Sequence, residues 1–209
     1  AEQLEGEQSI YGKGMWAASL RYHKDTFYVC FASYDTGKTY IYRTKNINEP
    51  WEKRSLDGVY HHPSLLFDED GRIYMGYGFN EVRILELNDT LTAPKEGGFE
   101  RLLVEEKQDA YISYEGAHFY KKDGTYYIFV IQWLKGNLTQ REQLCLYGDS
   151  LDGEFKKEMV FSENLGFPMK GVAQGGIVDT PEGDWYSVMY QEHGAIGKMP
   201  VLVPVSWDK

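Results

Sequence analysis

Four segments of this 209-residue sequence repeat one pattern, and that repetition narrows the possible folds more than any other feature. They are Trp16–Tyr28, His62–Tyr74, Glu115–Tyr127 and Gln174–Tyr186, each with twelve positions between a distinctive first residue and a closing Tyr. In each, small residues follow the first position and an apolar run comes next. An acidic residue then opens a turn, followed by Gly in three of the four, and an aromatic or Ile precedes the Tyr. Two β-rich runs flanking an acidic turn read as a hairpin. The closing residues Tyr28, Tyr74, Tyr127 and Tyr186 fall 46, 53 and 59 positions apart. Units of about that length, each holding several strands, are the signature of propeller blades. The expectation is a single all-β domain over residues 1–209, a propeller with about four blades in this chain.

Further strands fill the units: Lys38–Thr44 after the first hairpin, Val82–Leu87 after the second and Glu142–Tyr147 after the third. The polar stretches between them, Asn46–Arg54 and Asn88–Gly98, read as connections at the outer strands. The net charge of −10 disfavours nucleic acid and anionic membrane as partners, since both need a basic face. No apolar stretch reaches the roughly 18 residues of a membrane span. The 17 Tyr suit strands around a wet groove, where rings stack on sugar faces, although many all-β domains share that profile. Cys30 and Cys145 each sit in an apolar strand-like run and read as buried free thiols rather than a pair. Asp68, Glu69 and Asp70 fall in the second hairpin turn and read as solvated.

In a propeller the innermost strands begin at one end of a central channel, so equivalent repeat positions converge on one small volume. Here those positions hold Trp16, His62, Glu115 and Gln174. Similar strands with an indole, an imidazole, a carboxylate and an amide at one shared position point to a site there. A channel mouth that tolerates any polar residue is the plainer alternative.

The segment Glu115-Gly-Ala-His118-Phe-Tyr120-Lys-Lys-Asp-Gly-Thr-Tyr-Tyr resembles the catalytic-acid segment of glycoside hydrolase family 43. Tyr60-His61-His62-Pro63-Ser64-Leu65-Leu66-Phe67-Asp68 resembles that family's second acidic motif. Trp16-Ala-Ala-Ser-Leu-Arg-Tyr resembles its early Trp motif, and Gln174-Gly-Gly-Ile with Gly194-Ala-Ile-Gly197-Lys198 its late-blade pattern. The four motifs stand in family order over nearly the whole chain. The resemblance implies a five-bladed propeller that cleaves xylosyl or arabinofuranosyl linkages of plant cell-wall polysaccharide with inversion. It implies xylo- or arabino-oligosaccharides as ligands and Glu115 as the general acid. A partly dry cleft near other acidic groups would raise the pKa of that carboxyl.

Three departures qualify this expectation. The family's base is an Asp in a first-blade Asp-Pro motif, and no such motif precedes Trp16, where Glu2, Glu5 and Glu7 lie in a polar lead. The chain is therefore expected to be short of one blade at its N-terminal side, and of closing strands at its C-terminal side. Another segment or chain would supply that blade, and a catalytically impaired sugar-binding propeller is the alternative function. His62 stands where the family has its acid-tuning Asp, and an imidazole cannot supply a permanent negative charge. Lys198 replaces an Arg, giving a point charge without a fork.

No cofactor is required by this reading. A structural calcium near the channel is a further implication of the family, with His193 the residue that would border it, although a channel-lining His193, structural or in contact with the sugar, is the favoured reading and no calcium-loop spacing is visible. Trp16 is the favoured sugar-stacking residue. For Tyr11, Trp133 and Phe167, packing within a blade is an equal reading.

Overall fold

The computed structural model describes residues 13–105, 109–136, 140–167 and 171–207. Tyr11, Glu2, Glu5 and Glu7 lie outside them. Fifteen strands among these residues form four antiparallel meanders. The first blade holds β1 (Ser19–His23), β2 (Thr26–Ser33), β3 (Lys38–Thr44) and β4 (Glu52–Asp57). The second holds β5 (Ser64–Phe67), β6 (Ile73–Tyr77), β7 (Glu81–Leu87) and β8 (Glu100–Glu105). The third holds β9 (Ala110–Lys122), β10 (Thr125–Leu134), β11 (Glu142–Gly148) and β12 (Lys156–Phe161). The fourth holds β13 (Ala173–Asp179), β14 (Trp185–Glu192) and β15 (Lys198–Val205). The chain is thus an all-β, four-bladed propeller, and each repeated segment is the hairpin of its blade's first two strands. Among the described residues no helix is long and apolar enough to cross a membrane.

The hairpin turns follow from residues that accept positive φ. Asp123 and Gly124 close β9–β10 at φ 51° and 86°, the Asp-Gly geometry that matches the twist of the flanking strands. Lys24 and Asp25 do the same for β1–β2 at φ 45° and 57°, without a glycine.

The core lies between blades rather than within them. Ile41, Cys30 and Leu56 of the first blade meet Leu65, Met75 and Leu85 of the second. Leu66, Tyr74 and Ile84 meet Tyr114, Phe119, Ile128 and Leu146 of the third. Phe129 and Cys145 meet Ile177 of the fourth, with Trp185 and Trp207 packed around them. Burying a side chain such as Phe119 or Leu65 contributes about 1.5–3 kcal/mol, so these seams set the order of the blades. Both cysteines are buried and free, in different blades. The faces turned away from these seams are different: Leu20 and Tyr22 of β1, and Val188 and Leu202 of the fourth blade, are all exposed.

One turn departs from expectation. Glu69 and Asp70 are exposed, but Asp68 is only 5% exposed. Its carboxylate accepts from Lys121 Nζ and Tyr126 OH, both at 2.6 Å, which ties the second blade to the third. The reading of all three as solvated is therefore corrected for Asp68, whose side chain turns into the seam between the hairpins.

Candidate functional site

The first strands touch in chain order, β1 to β5, β5 to β9 and β9 to β13, so their starts gather at one end of the channel. The backbone is left-handed at two of the four starts, His62 at φ 47° and Gln174 at φ 61°, and at Gly116, next to a third, at φ 73°. Extended strands send neighbouring side chains to opposite faces, and a left-handed residue breaks that alternation. As a result His61 and His62 stack on each other with ring centres 4.0 Å apart instead of pointing apart. Gly116 serves the same region sterically. A Cβ there would stand 2.8 Å from Gln174 Cγ, so the small residue lets the fourth blade approach Glu115.

Glu115 sits at the centre, 8% exposed. His61 Nε2 donates to its Oε1 at 2.8 Å, and His62 Nδ1 lies 3.7 Å from the same oxygen. Tyr34 OH donates to His61 Nδ1 at 2.6 Å, completing a Tyr–His–Glu chain. Gln174 Nε2 is 3.3 Å from His62 Nδ1, and Tyr190 OH donates to Gln174 Oε1 at 2.8 Å. Trp16, partly exposed, lies over the pair, with ring centres 5.3 Å from His61 and 5.8 Å from His62. The convergence expected of Trp16, His62, Glu115 and Gln174 is therefore what the fold produces.

The other expected residues are distributed around this centre. Lys198 Nζ lies over the Tyr190 ring at 4.4 Å, next to the Gln174 amide that Tyr190 holds. Trp133 stands further out on the third blade, between Tyr111 and the Arg141 guanidinium. His193 stands apart: its Nε2 is paired with Gln191 Oε1 at 2.9 Å and its ring stacks on Phe167. Among the described residues, His193 is not part of a group of three His, Cys, Asp or Glu ligands.

Four residues of the site were not foreseen in these roles: His61, Tyr34, Arg141 and Tyr190. The one available signal was that His61 precedes a repeat start. Arg141, held by Glu192 Oε1 at 3.0 Å, adds positive charge near Glu115.

The electrostatics differ from expectation in sign. Burial pushes the Glu115 pKa up, but the hydrogen bond from His61 and the charges of His62, His61 and Arg141 outweigh it and hold the carboxyl below its ordinary value. The expected raised pKa assumed acidic neighbours, and the groups touching Glu115 are imidazoles. His62 is itself lowered to about 4, mainly by burial and also by His61 and Lys198, so at neutral pH it is uncharged. A buried carboxylate in contact with two imidazoles, beneath an exposed indole, can exchange a proton with a ligand in the channel mouth or hold a cation.

A family model described as glycosyl hydrolases family 43 matches residues 2–209. The chain is 26% identical to a β-xylosidase of Formosa agariphila, covering 94% of this chain and 38% of that protein. It is also 26% identical to a non-reducing end α-L-arabinofuranosidase of Bacteroides ovatus, covering 93% of this chain and 39% of the other. A solved bifunctional GH43-CE structure from Bacteroides eggerthii superposes with a TM-score of 0.84 at 38% identity, over 94% of this chain and 25% of that one. The chain thus spans about two fifths of the curated relatives it matches.

Proposed function

The chain belongs to glycosyl hydrolases family 43, and from that premise we propose that it supplies the proton-donating half of an inverting hydrolysis of xylosyl or arabinofuranosyl linkages. The observation that carries this reading is the burial of the Glu115 carboxyl at the point where the four blade starts converge. Glu115, when protonated, donates to the glycosidic oxygen as that bond breaks, and a water attacks the anomeric carbon from the opposite face. The water needs a carboxylate base about 6.5–9.5 Å from the acid, and the groups in contact with Glu115 are histidines. A fifth blade, from another segment or chain, would bring that base. The exposed apolar faces of the first and fourth blades support such a seat. Trp16 offers its exposed ring as a stacking platform, and Gln174 and Lys198 offer polar contacts to sugar hydroxyls. The names of the relatives from Formosa agariphila and Bacteroides ovatus support a pentose as the sugar.

The test is hydrolysis of xylo-oligosaccharide and arabino-oligosaccharide, whose leaving groups need protonation, with His62→Asp measured beside the unchanged chain. A carboxylate at 62 replaces a neutral imidazole with a like charge, which raises the Glu115 pKa. Above its pKa an acid loses about tenfold in protonated fraction per pH unit, so each unit of increase should give about tenfold more turnover on the alkaline limb. The alkaline limb is expected to move to higher pH in His62→Asp. An unmoved limb would show that His62 does not set the acid's strength. Absence of both hydrolysis and binding of xylo- or arabino-oligosaccharide by either protein would overturn this reading of the chain.

A further inference from the structure

Among the described residues, one group of three His, Cys, Asp or Glu side chains brings its ligand atoms together. His61, His62 and Glu115 each offer one atom, all within 4.8 Å of one another, and all three residues are buried. Glu115 Oε1 is 2.8 Å from His61 Nε2 and 3.7 Å from His62 Nδ1. Ligand atoms around a tetrahedral zinc ion with bonds of about 2.0–2.1 Å stand about 3.3 Å apart, so the two distances to Glu115 need changes of about half an ångström and the widest pair, up to 4.8 Å apart, must close by about 1.5 Å.

We propose that His61 Nε2, His62 Nδ1 and a carboxylate oxygen of Glu115 bind a divalent ion of the zinc class at the mouth of the central channel.

The donor set selects the class. Two imidazoles and one carboxylate suit zinc, cobalt or nickel, whereas calcium and magnesium require mostly oxygen ligands. Three protein ligands leave a fourth position for water or a sugar hydroxyl. The second sphere is present as well. Tyr34 OH sits 2.6 Å from His61 Nδ1, and a hydroxyl can accept as well as donate. His61 can therefore carry its proton on Nδ1 and turn the Nε2 lone pair to the ion. An ion would displace the 2.8 Å hydrogen bond between His61 and Glu115 and the longer 3.3 Å contact from Gln174, whose amide stays held by Tyr190. The rings are already fixed by stacking on each other and by Trp16 above them, so binding orders little. His62 Nδ1, which meets the Gln174 amide at 3.3 Å, also lies 3.7 Å from the same carboxylate oxygen, beyond hydrogen-bond reach.

Such an ion would keep Glu115 as a carboxylate, and bound metal would then switch proton donation off. That consequence alone rests on Glu115 being the proton donor.

The experiment uses the full chain, stripped with chelator, and two probes read without substrate. Zinc chloride is titrated calorimetrically, and cobalt(II) is followed by its visible absorption. The expected result is one ion per chain with a Kd of about 1 μM or tighter and a cobalt band of tetrahedral intensity. His61→Gln and His62→Asn keep a polar group near each ring nitrogen, and each should weaken binding at least about tenfold. His193→Gln should leave it unchanged. The cobalt spectrum of the unaltered chain decides the matter even if a variant fails to fold. No band and no zinc binding up to about 1 mM, or binding untouched by both His61→Gln and His62→Asn, overturns the proposal. Zinc binding by a chain whose metal-stripped form neither hydrolyses nor binds oligosaccharide would retain this site and remove the proton-donor role of Glu115. Hydrolysis without zinc binding would do the reverse.

Discussion

Replacing Glu115 by Gln is expected to lower kcat/KM on a glycoside with a poor leaving group, such as a xylo-oligosaccharide, by about 10²–10⁴. That corresponds to about 3–5 kcal/mol of lost transition-state stabilisation. Gln keeps the volume of the side chain and an oxygen to accept from His61 Nε2, so the surroundings of the 2.8 Å contact need not rearrange. What it removes is the transferable proton. A p-nitrophenyl glycoside should therefore lose much less, because p-nitrophenolate departs without protonation. The split between the two substrates is the diagnostic reading, since damage to the fold would depress both alike. Equal rates for Glu115→Gln and the unaltered chain on both substrates would remove Glu115 from the mechanism. The pH profile offers a second check. With its pKa held below the ordinary value, Glu115 is protonated only at acid pH, so activity should fall as pH rises through that lowered value.

Asp68→Ala is expected to destabilise the fold by about 3 kcal/mol, read as a lower midpoint in urea denaturation. The buried carboxylate accepts from Lys121 Nζ, Tyr126 OH and the Glu69 backbone N–H, each at 2.6 Å. Truncation leaves the buried Tyr126 hydroxyl and the mostly buried Lys121 ammonium without that partner. Glu69→Ala, two atoms of chain away but exposed, should stay within about 0.5 kcal/mol. Burial alone would raise the Asp68 pKa, but Lys121, Tyr126 and the Glu69 amide together hold it below its ordinary value. A depressed folded pKa gives stability that is present above the unfolded pKa and lost as pH falls through the folded one. Acidification should thus destabilise the unaltered chain more than Asp68→Ala. A midpoint unchanged by Asp68→Ala would show that the seam between the second and third blades does not depend on this cluster.

The inner hairpins were legible because each presents a buried face and a turn whose chemistry is local. The outer strands β4, β8 and β12 were not. Lys156–Val160 of β12 is exposed at every position, so no apolar alternation marks it, and β4 begins inside the polar stretch read as a connection. At the site, the meeting of Trp16, His62, Glu115 and Gln174 could be read from repeat position. The roles of His61 and Tyr34 could not, because they depend on a left-handed backbone at His62 that no neighbouring residue type demands. The direction of the Glu115 pKa was misjudged for the same reason: it depends on which groups touch the carboxyl. Asp68 shows the limit from another side, since three consecutive acidic residues give no cue to which one turns inward.

Packing confined to the seams between blades has a consequence for how the molecule comes apart. Each apolar seam joins nearest neighbours, with only polar links such as Arg21 to Phe119 and His62 to Gln174 reaching past them, so the described blades approximate a linear array whose middle members have two apolar supports and whose outer members have one. In such an array, amides of the second and third blades should exchange with solvent most slowly, and unfolding should proceed inward from the flanks. A fifth blade seated against both exposed faces would close the row into a ring, and the loss of any blade would then break two seams instead of one. Closure would turn graded fraying into a single cooperative transition, so the shape of the unfolding curve reports whether the ring is complete.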